Sequence, residues 1–163
     1  MDYFLINKLN KNKKPSLNII TTIFNEESNI PVFINDIQKT LSTLKNINYN
    51  FILVDNGSTD NSLKLIKSLS SKNKKIKYVS LLRNFGHQGG LLAGLSFSKS
   101  DITITMDCDL QHPSKLIPRM IKSWTDGYKV VSAVKNPEKG VIYFFKNLFY
   151  KSLSKLSKLE FLY

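Results

Sequence analysis

Hydrophobic and polar positions follow two different periods along this chain, and the two periods alternate. Runs rich in β-branched and aromatic residues, typical of buried strands, occupy residues 17–24, 49–55, 75–82, 101–107 and 128–134. The segments between them place apolar residues three or four positions apart or open with residues that commonly cap helices, and they are 25–44, 58–71, 86–98 and 112–124. Strand and helix therefore alternate with short links. This order predicts an α/β fold with a mostly parallel sheet and right-handed crossovers.

Polar residues collect where these predicted strands end. In open parallel sheets, ligands bind in the crevice outside the carboxyl ends of the strands. The side chains expected at that edge are Asn25, Glu26, Asp55, Arg83, Asn84, Asp107, Asp109 and Lys135. The sequence thus predicts one binding site, assembled from the ends of several strands.

The segment "ITITMDCDLQHPSK", residues 102–115, places two carboxylates directly after a β-branched run. Side chains two positions apart on an extended segment point the same way, so Asp107 and Asp109 are expected to face one side together. Gln111 continues this line if the chain stays extended. Two carboxylates and an amide oxygen suit Mg²⁺ or Mn²⁺, which usually also bind phosphate oxygens. The alternative interpretation is a surface turn with two solvated acids.

The segment "VDNGSTDN", residues 54–61, gives a second signal. An acid at the end of a second strand commonly accepts hydrogen bonds from a ribose or base, which favours a binding role for Asp55. Ser58, Thr59 and Asp60 are expected to shape the turn and cap the next helix. No G-x-G-x-x-G or G-K-[ST] loop occurs, which argues against a dinucleotide oxidoreductase or a P-loop NTPase. A nucleotide diphosphate would then need a metal, and this combination indicates a nucleotide-sugar enzyme.

The formal net charge of +12 admits nucleic acid or an anionic membrane as a partner, but a lysine-rich composition is an alternative explanation. The core lacks the interleaved aromatic and basic residues of single-strand binders, so no nucleic-acid partner is expected. The single cysteine, Cys108, fits a reducing compartment. No apolar stretch approaches the length of a membrane span. The oligomeric state cannot be predicted, and a homo-oligomer stays open.

Four segments together resemble the family-2 glycosyltransferases: "TTIFNEE", "LVDNGSTDNS", "LLRNFGHQGGLLAGL" and "MDCDLQHPSKL". The order and spacing are most similar to the polyprenyl-phosphate branch, which includes dolichol-phosphate mannosyltransferases and undecaprenyl-phosphate glycosyltransferases. The resemblance spans roughly residues 17–157. It implies a GT-A fold and inverting transfer of a sugar from a nucleotide-diphosphate sugar to a polyprenyl phosphate. It also implies a peripheral protein at the cytoplasmic face of the membrane, acting in cell-envelope glycan or glycolipid synthesis.

The resemblance also implies residue roles. Phe24, Asn25, Glu26 and Asp55 would bind substrate, with Glu26 and Asp55 at the nucleoside. Asp107 and Asp109 would be catalytic through the metal, with Gln111 as a further metal ligand. Lys135 stands where the family usually has a phosphate-binding arginine, whereas Arg83 and Asn84 would shape the substrate site. For His87 and His112, supporting roles are favoured over acid–base chemistry.

The chain departs from the family pattern at its start and its end. Thr22 replaces the proline of the opening family motif, and the chain ends at Tyr163, before the acceptor-site segments of family members. We therefore expect the donor-binding part of an enzyme. A non-catalytic nucleotide-sugar-binding fragment and a transferase acting on a glycan acceptor are the alternatives.

Three segments are predicted: a basic extension over residues 1–16, a nucleotide-sugar-binding core over 17–139, and a basic amphipathic helix over 140–163. In the last segment the apolar residues follow helical spacing and the lysines lie largely off that stripe. Such a helix suits a membrane interface, although packing on the domain would explain the same pattern.

Overall fold

A computed structural model of the protein describes residues 14–134. Its strands are β1 (Ser16–Ile23), β2 (Asn48–Asp55), β3 (Ile76–Ser80) and β4 (Ile102–Thr105). Its α-helices are α1 (Asn29–Ser42), α2 (Ser62–Lys72), α3 (Gly86–Ser96) and α4 (Ile117–Thr125), with one 3-10 turn over Ser114–Leu116. The strands form one parallel sheet in the order β3-β2-β1-β4. The predicted α/β fold class is confirmed.

The two faces of the sheet bury different amounts of apolar surface. The larger core combines one face with buried residues of α1, α2 and α4, including Phe33, Ile66 and Ile121. The other face contributes a smaller core built on Ile20, Ile52 and Val54. Leu91 and Ala93 of α3 pack against this smaller core. Within the described part of the chain, α3 is the one helix on its side of the sheet.

Two glycines let α3 lie very close to β1 and β2. A Cβ atom at Gly94 would be 2.5 Å from Ile20 Cγ2 and 2.9 Å from Val54 Cγ2. At Gly90 it would overlap the side chain of Thr22. Because such contacts are shorter than carbon atoms tolerate, only glycine allows this spacing. The tightly packed small-residue helix predicted over residues 86–98 is confirmed.

The prediction of a fifth strand over residues 128–134 is wrong, because these residues adopt no regular secondary structure. A strand needs a hydrogen-bonded neighbour, and a β-rich composition alone does not supply one. Val130 and Val134 are 88% and 85% exposed, so the segment also lacks a buried face. The helix predicted over residues 112–124 does form despite Pro118. It begins as a 3-10 turn, and Pro118 falls in the first turn of α4, where no backbone N–H is needed.

Candidate active site

Two loops at the carboxyl end of the sheet are joined by hydrogen bonds between their backbones and side chains. The loop after β1 and the loop after β2 face each other because their strands are paired from Ser16 to Ile23. The Asn25 side-chain oxygen accepts from the backbone N–H of Thr59 at 2.8 Å, and the N–H of Glu26 donates to Ser62 Oγ at 2.9 Å. Asn25 has a φ of 58°, a conformation that asparagine tolerates better than most residues.

Asp60 adds a further connection between these loops. Its carboxylate accepts from the N–H groups of Ser62 and Glu27, at 2.9 and 3.3 Å. Partial desolvation acts to raise the pKa of Asp60, but the hydrogen bonds outweigh it and the pKa lies below its ordinary value. The predicted helix-cap role needs a correction. The residue preceding α2 is Asn61, and Asp60 supports the first turn from one position earlier while bridging to the other loop.

Asp55 lies beneath this pair of loops and is 1% exposed. One carboxylate oxygen accepts from the N–H of Ser58 at 3.3 Å, and the other accepts from Ser80 Oγ at 3.4 Å. Both distances leave these hydrogen bonds long. The structure thus places Asp55 at the loop base, and its contact with a nucleoside stays a prediction.

Asn56 organises the third loop of the site, although the sequence did not single it out. Its side-chain nitrogen donates to Asn84 Oδ1 and to the carbonyl of Gly86, at 3.1 and 3.0 Å. Its side-chain oxygen accepts from the N–H of Phe85 at 3.0 Å. The side chain is buried just after β2, and all three of these hydrogen bonds hold residues 84–86 in place. The one sequence feature that could have identified Asn56 is its position directly after Asp55.

Gly57 brings the second and third loops together. Its φ is +76°, and a Cβ there would be 2.5 Å from the backbone carbonyl carbon of Arg83. Because those atoms are backbone, a larger residue would push the loop containing Asn84 away. Asn84 itself accepts from the N–H of Gly86 at 2.7 Å, which supports the predicted shaping role. Arg83 is exposed, with its guanidinium carbon 4.9 Å from the centre of the Phe85 ring.

The turn after β4 differs from the extended line expected for Asp107, Asp109 and Gln111. The strand ends at Thr105, and Leu110 has a φ of 63°, so the chain reverses before Gln111. Asp109 Oδ1 accepts from the N–H of Gln111 at 3.0 Å, a local hydrogen bond that competes with extended backbone. The geometric argument for Gln111 is therefore wrong, and its role as a ligand rests on the resemblance alone.

His112 stabilises this turn, in agreement with the supporting role expected for it. The backbone N–H of Asp107 donates to His112 Nδ1 at 3.1 Å. The Asp107 carboxylate lies between two imidazoles, with His87 Nε2 at 3.9 Å and His112 Nε2 at 3.7 Å. Both distances are too long for a direct hydrogen bond between the carboxylate and either ring.

A cleft of about 330 Å³ opens where the three loops and the turn after β4 meet. It is lined by Thr22, Phe24, Glu26, Asn56, Asn84, Gly86, His87, Asp107, Cys108 and Asp109. The predicted residues Phe24, Glu26, Asn84, Asp107 and Asp109 are thus brought together. Asn25, Asp55, Arg83 and Gln111 do not line the cleft. Lys135 and the predicted helix over 140–163 lie outside the described residues, as does most of the extension over 1–16.

The cleft is acidic. Burial, followed by the negative charges of Glu26 and Asp109, raises the pKa of Cys108 to about 12. The Cys108 thiol is therefore neutral at physiological pH. An anionic substrate can therefore bind in this cleft only together with a positively charged group that offsets the negative charge of the carboxylates.

The oxygen ligands present fit a hard divalent cation. Asp107 and Asp109 both line the cleft, and the Asp107 side chain is 44% exposed, so its oxygens are accessible. Among residues 14–134 no three histidine, cysteine or acidic side chains are grouped closely enough to hold a metal ion by themselves. A Mg²⁺ or Mn²⁺ ion at Asp107 and Asp109 would therefore take its remaining ligands from substrate phosphates or water.

The sequence matches the description "Glycosyl transferase family 2" over residues 18–159, which is most of its length. The chain belongs to glycosyltransferase family 2. Among its relatives, it is 32% identical to the uncharacterized glycosyltransferase YkcC of Bacillus subtilis over 145 residues, covering 87% of this chain and 45% of the relative. It is 36% identical over 123 residues to an undecaprenyl-phosphate 4-deoxy-4-formamido-L-arabinose transferase of Pectobacterium carotovorum, covering 74% and 37%. The chain thus spans less than half the length of these family-2 relatives.

Solved structures confirm that the fold is GT-A. The mannosyltransferase PcManGT from Pyrobaculum calidifontis, in complex with GDP-Man and Mn²⁺, superposes with a TM-score of 0.60 at 19% identity, covering 77% of this chain and 37% of that one. TarS of S. aureus, residues 1–349, superposes with a TM-score of 0.53 at 16% identity, covering 75% and 39%. At this identity the similarity concerns the fold alone. Within residues 14–134, no helix has the length and apolarity to cross a membrane.

Proposed function

We propose that this protein is the donor-binding part of an inverting glycosyltransferase that moves a sugar from a nucleotide-diphosphate sugar to a polyprenyl phosphate. The observation that carries the proposal is the acidic cleft at the carboxyl edge of the sheet, with Asp107 and Asp109 on its wall. The relatives named for undecaprenyl-phosphate transfer support the acceptor, and the neighbour solved with GDP-Man and Mn²⁺ supports the donor class and the metal.

In this proposal the loops after β1 and β2 receive the nucleoside. Glu26 lines the cleft, and its Oε2 accepts from Asn29 Nδ2 at 2.6 Å, so the carboxylate is held in place. The aromatic side chain of Phe24 is 43% exposed and is available to pack against a base. Asp55 acts mainly by fixing the loops from below. Lys135 is proposed to meet phosphate on the strength of the family pattern.

Asp107 and Asp109 would hold Mg²⁺ or Mn²⁺, which would neutralise the leaving diphosphate. A phosphate oxygen of the lipid attacks the anomeric carbon of the sugar, the bond from that carbon to the diphosphate oxygen breaks, and the nucleoside diphosphate departs. The attacking oxygen is already ionised near neutral pH, so this reaction needs no carboxylate base. The protein then contributes mainly alignment of donor and acceptor.

A lipid-linked acceptor requires the enzyme to work at a membrane surface. We therefore place the protein at the cytoplasmic face, bound peripherally. The predicted amphipathic helix over residues 140–163 is proposed as one contact. Its lysines near anionic lipid would each add about 1 kcal/mol.

A transfer assay with radiolabelled donors tests this function. UDP-glucose, GDP-mannose and UDP-N-acetylglucosamine are each offered with a short-chain polyprenyl phosphate and, in parallel, with glycan acceptors. The proposal predicts metal-dependent labelling of the polyprenyl phosphate. Labelling of glycans alone would show that the acceptor is a glycan and not a polyprenyl phosphate. Nucleotide-sugar binding without any transfer would indicate a non-catalytic fragment.

A further inference from the structure

The outward face of α3 is largely apolar, which distinguishes this helix from the other helices on the surface. Phe85 directly precedes α3, and Leu92 and Leu95 lie seven and ten positions further on, a spacing that puts all three side chains on one face. They are 51%, 66% and 39% exposed. We call these three residues the α3 stripe. The opposite face packs on the sheet through Gly90 and Gly94, so the stripe points away from the core.

An exposed helix of a soluble protein normally has charged or polar residues on its outward face. The sequence of α3, "GHQGGLLAGLS", contains no lysine, arginine, aspartate or glutamate. In contrast, α2 carries exposed lysines such as Lys64 and Lys67. Scattered exposed apolar residues are ordinary on soluble proteins, but here three lie on one face of an uncharged helix, interrupted by the exposed side chain of Gln88.

Three basic residues lie near the stripe: Lys77, Arg83 and Lys99. The lysines of α2, such as Lys64 and Lys67, do not belong to this surface, because α2 packs in the larger core on the opposite face of the sheet. Arg83 contacts the Phe85 ring at one end of α3, and the exposed Lys99 follows its other end. Lys77 pairs with Ile52, which belongs to the core beneath α3, so Lys77 also lies on this side of the sheet. An apolar stripe with basic residues around it is the combination that binds an anionic bilayer.

The stripe also begins at the mouth of the cleft. Gly86 and His87, the first residues of α3, line the cleft, and Phe85 is held next to it by Asn56. We propose that the α3 stripe and its basic surround form the surface by which this domain lies on an anionic bilayer. This orientation rests on the proposed function, because it brings the cleft next to phosphate groups at the lipid surface.

Vesicle sedimentation of the full chain tests this surface. The vesicles are equimolar phosphatidylglycerol and phosphatidylcholine, with pure phosphatidylcholine for comparison. The double variant Leu92→Ser/Leu95→Ser is expected to bind anionic vesicles about tenfold more weakly, since two partly exposed leucines lose their apolar contact. Val32→Ser is the matched control: Val32 is 51% exposed on α1, a helix of the larger core, and this change should leave vesicle binding unchanged.

Equal vesicle binding by wild type and the double variant would overturn the proposal. Loss of a concentration-dependent dimer in light scattering, with vesicle binding unchanged, would also overturn it and assign the stripe to a second copy. Circular dichroism and nucleotide titration establish that each variant is folded. Transfer to a water-soluble short-chain polyprenyl phosphate should be the same in wild type and double variant. Absence of that transfer in both would reject the proposed function while leaving the vesicle result to decide the surface.

Discussion

At the scale of single residues, two aspartates from one motif hold different parts of the site. Asp55 is buried at the base of the loops, whereas Asp60 bridges them nearer the surface. We expect Asp55→Ala to weaken nucleotide binding by roughly 1–3 kcal/mol, because a charged acceptor at the loop base is lost. Calorimetric titration measures this directly. Unchanged nucleotide affinity would show that Asp55 has no role in nucleotide binding.

Asp60→Ala should instead lower the free energy of unfolding by about 1 kcal/mol, the scale of a lost helix-end hydrogen bond. The pKa of Asp60 is lowered in the folded protein, so its stabilisation is present above the ordinary value of 3.8. The stabilisation is lost as the pH falls through the lowered pKa. Urea unfolding of wild type and variant should therefore differ at pH 7 and converge in more acidic solution. A difference that grew on acidification would contradict this assignment.

Cys108 provides a test of the acidic cleft. A pKa of about 12, against an ordinary value of 9.0, means that the native thiolate fraction at pH 8 is about a thousandth of that in the unfolded chain. We expect a disulfide reagent to modify the native protein slowly and the urea-unfolded protein rapidly. The same shift makes the stabilisation from the neutral thiol complete below pH 9.0 and progressively lost as the pH rises towards 12. Equal modification rates would mean that Cys108 is neither buried nor surrounded by negative charge.

Residue-level chemistry was only partly predictable from sequence. The carboxylates Asp107 and Asp109 were found because they follow a β-branched run, and both line the cleft. The prediction that the chain stays extended to Gln111 is wrong, because Leu110 adopts a left-handed backbone conformation. A leucine at that position does not indicate such a conformation. Asn56 was overlooked because its function lies in three hydrogen bonds to a loop distant in sequence.

At the scale of elements, the contact between α3 and the sheet depends on the absence of side chains. Gly94→Ala would place a methyl group 2.5 Å from Ile20 Cγ2, and over-packing of this kind costs about 1–3 kcal/mol. The higher helix propensity of alanine returns about 1 kcal/mol. We expect a net loss of up to about 2 kcal/mol in urea unfolding. Gln88→Ala, at an exposed position of the same helix, should change stability by less than about 0.5 kcal/mol. Equal stability of the two variants would show that the close approach is unimportant.

The elements themselves were largely predictable because hydrophobic period and burial coincide. Each of the four strands and four α-helices overlaps a predicted segment, and none extends beyond it by more than one residue, since each has one face or both faces in a core. Residues 128–134 have strand-type composition but no paired neighbour. Pairing is a property of the whole sheet, so composition alone could not decide it.

At the scale of the whole molecule, the described part of the chain supplies the carboxyl edge of a four-stranded sheet and a cleft. The chain spans less than half the length of its curated relatives. The proposed acceptor therefore rests mainly on what those relatives are named for. The donor side depends on residues in this structure. The domain boundaries predicted at residues 16 and 139 remain predictions, as do the roles of Lys135 and of residues 140–163.

The central claim is that Asp107 and Asp109 bind a nucleoside diphosphate through a divalent cation. Isothermal titration of UDP and GDP with and without Mn²⁺ tests it most directly, in wild type, in Asp109→Ala, and in Asp36→Ala, an exposed acid on α1 outside the cleft. The account predicts that Mn²⁺ strengthens binding of one nucleotide at least about tenfold in wild type and Asp36→Ala, as expected when a cation joins phosphate to carboxylate. Asp109→Ala should show no such gain. Equal affinity with and without Mn²⁺ in all three proteins would contradict it.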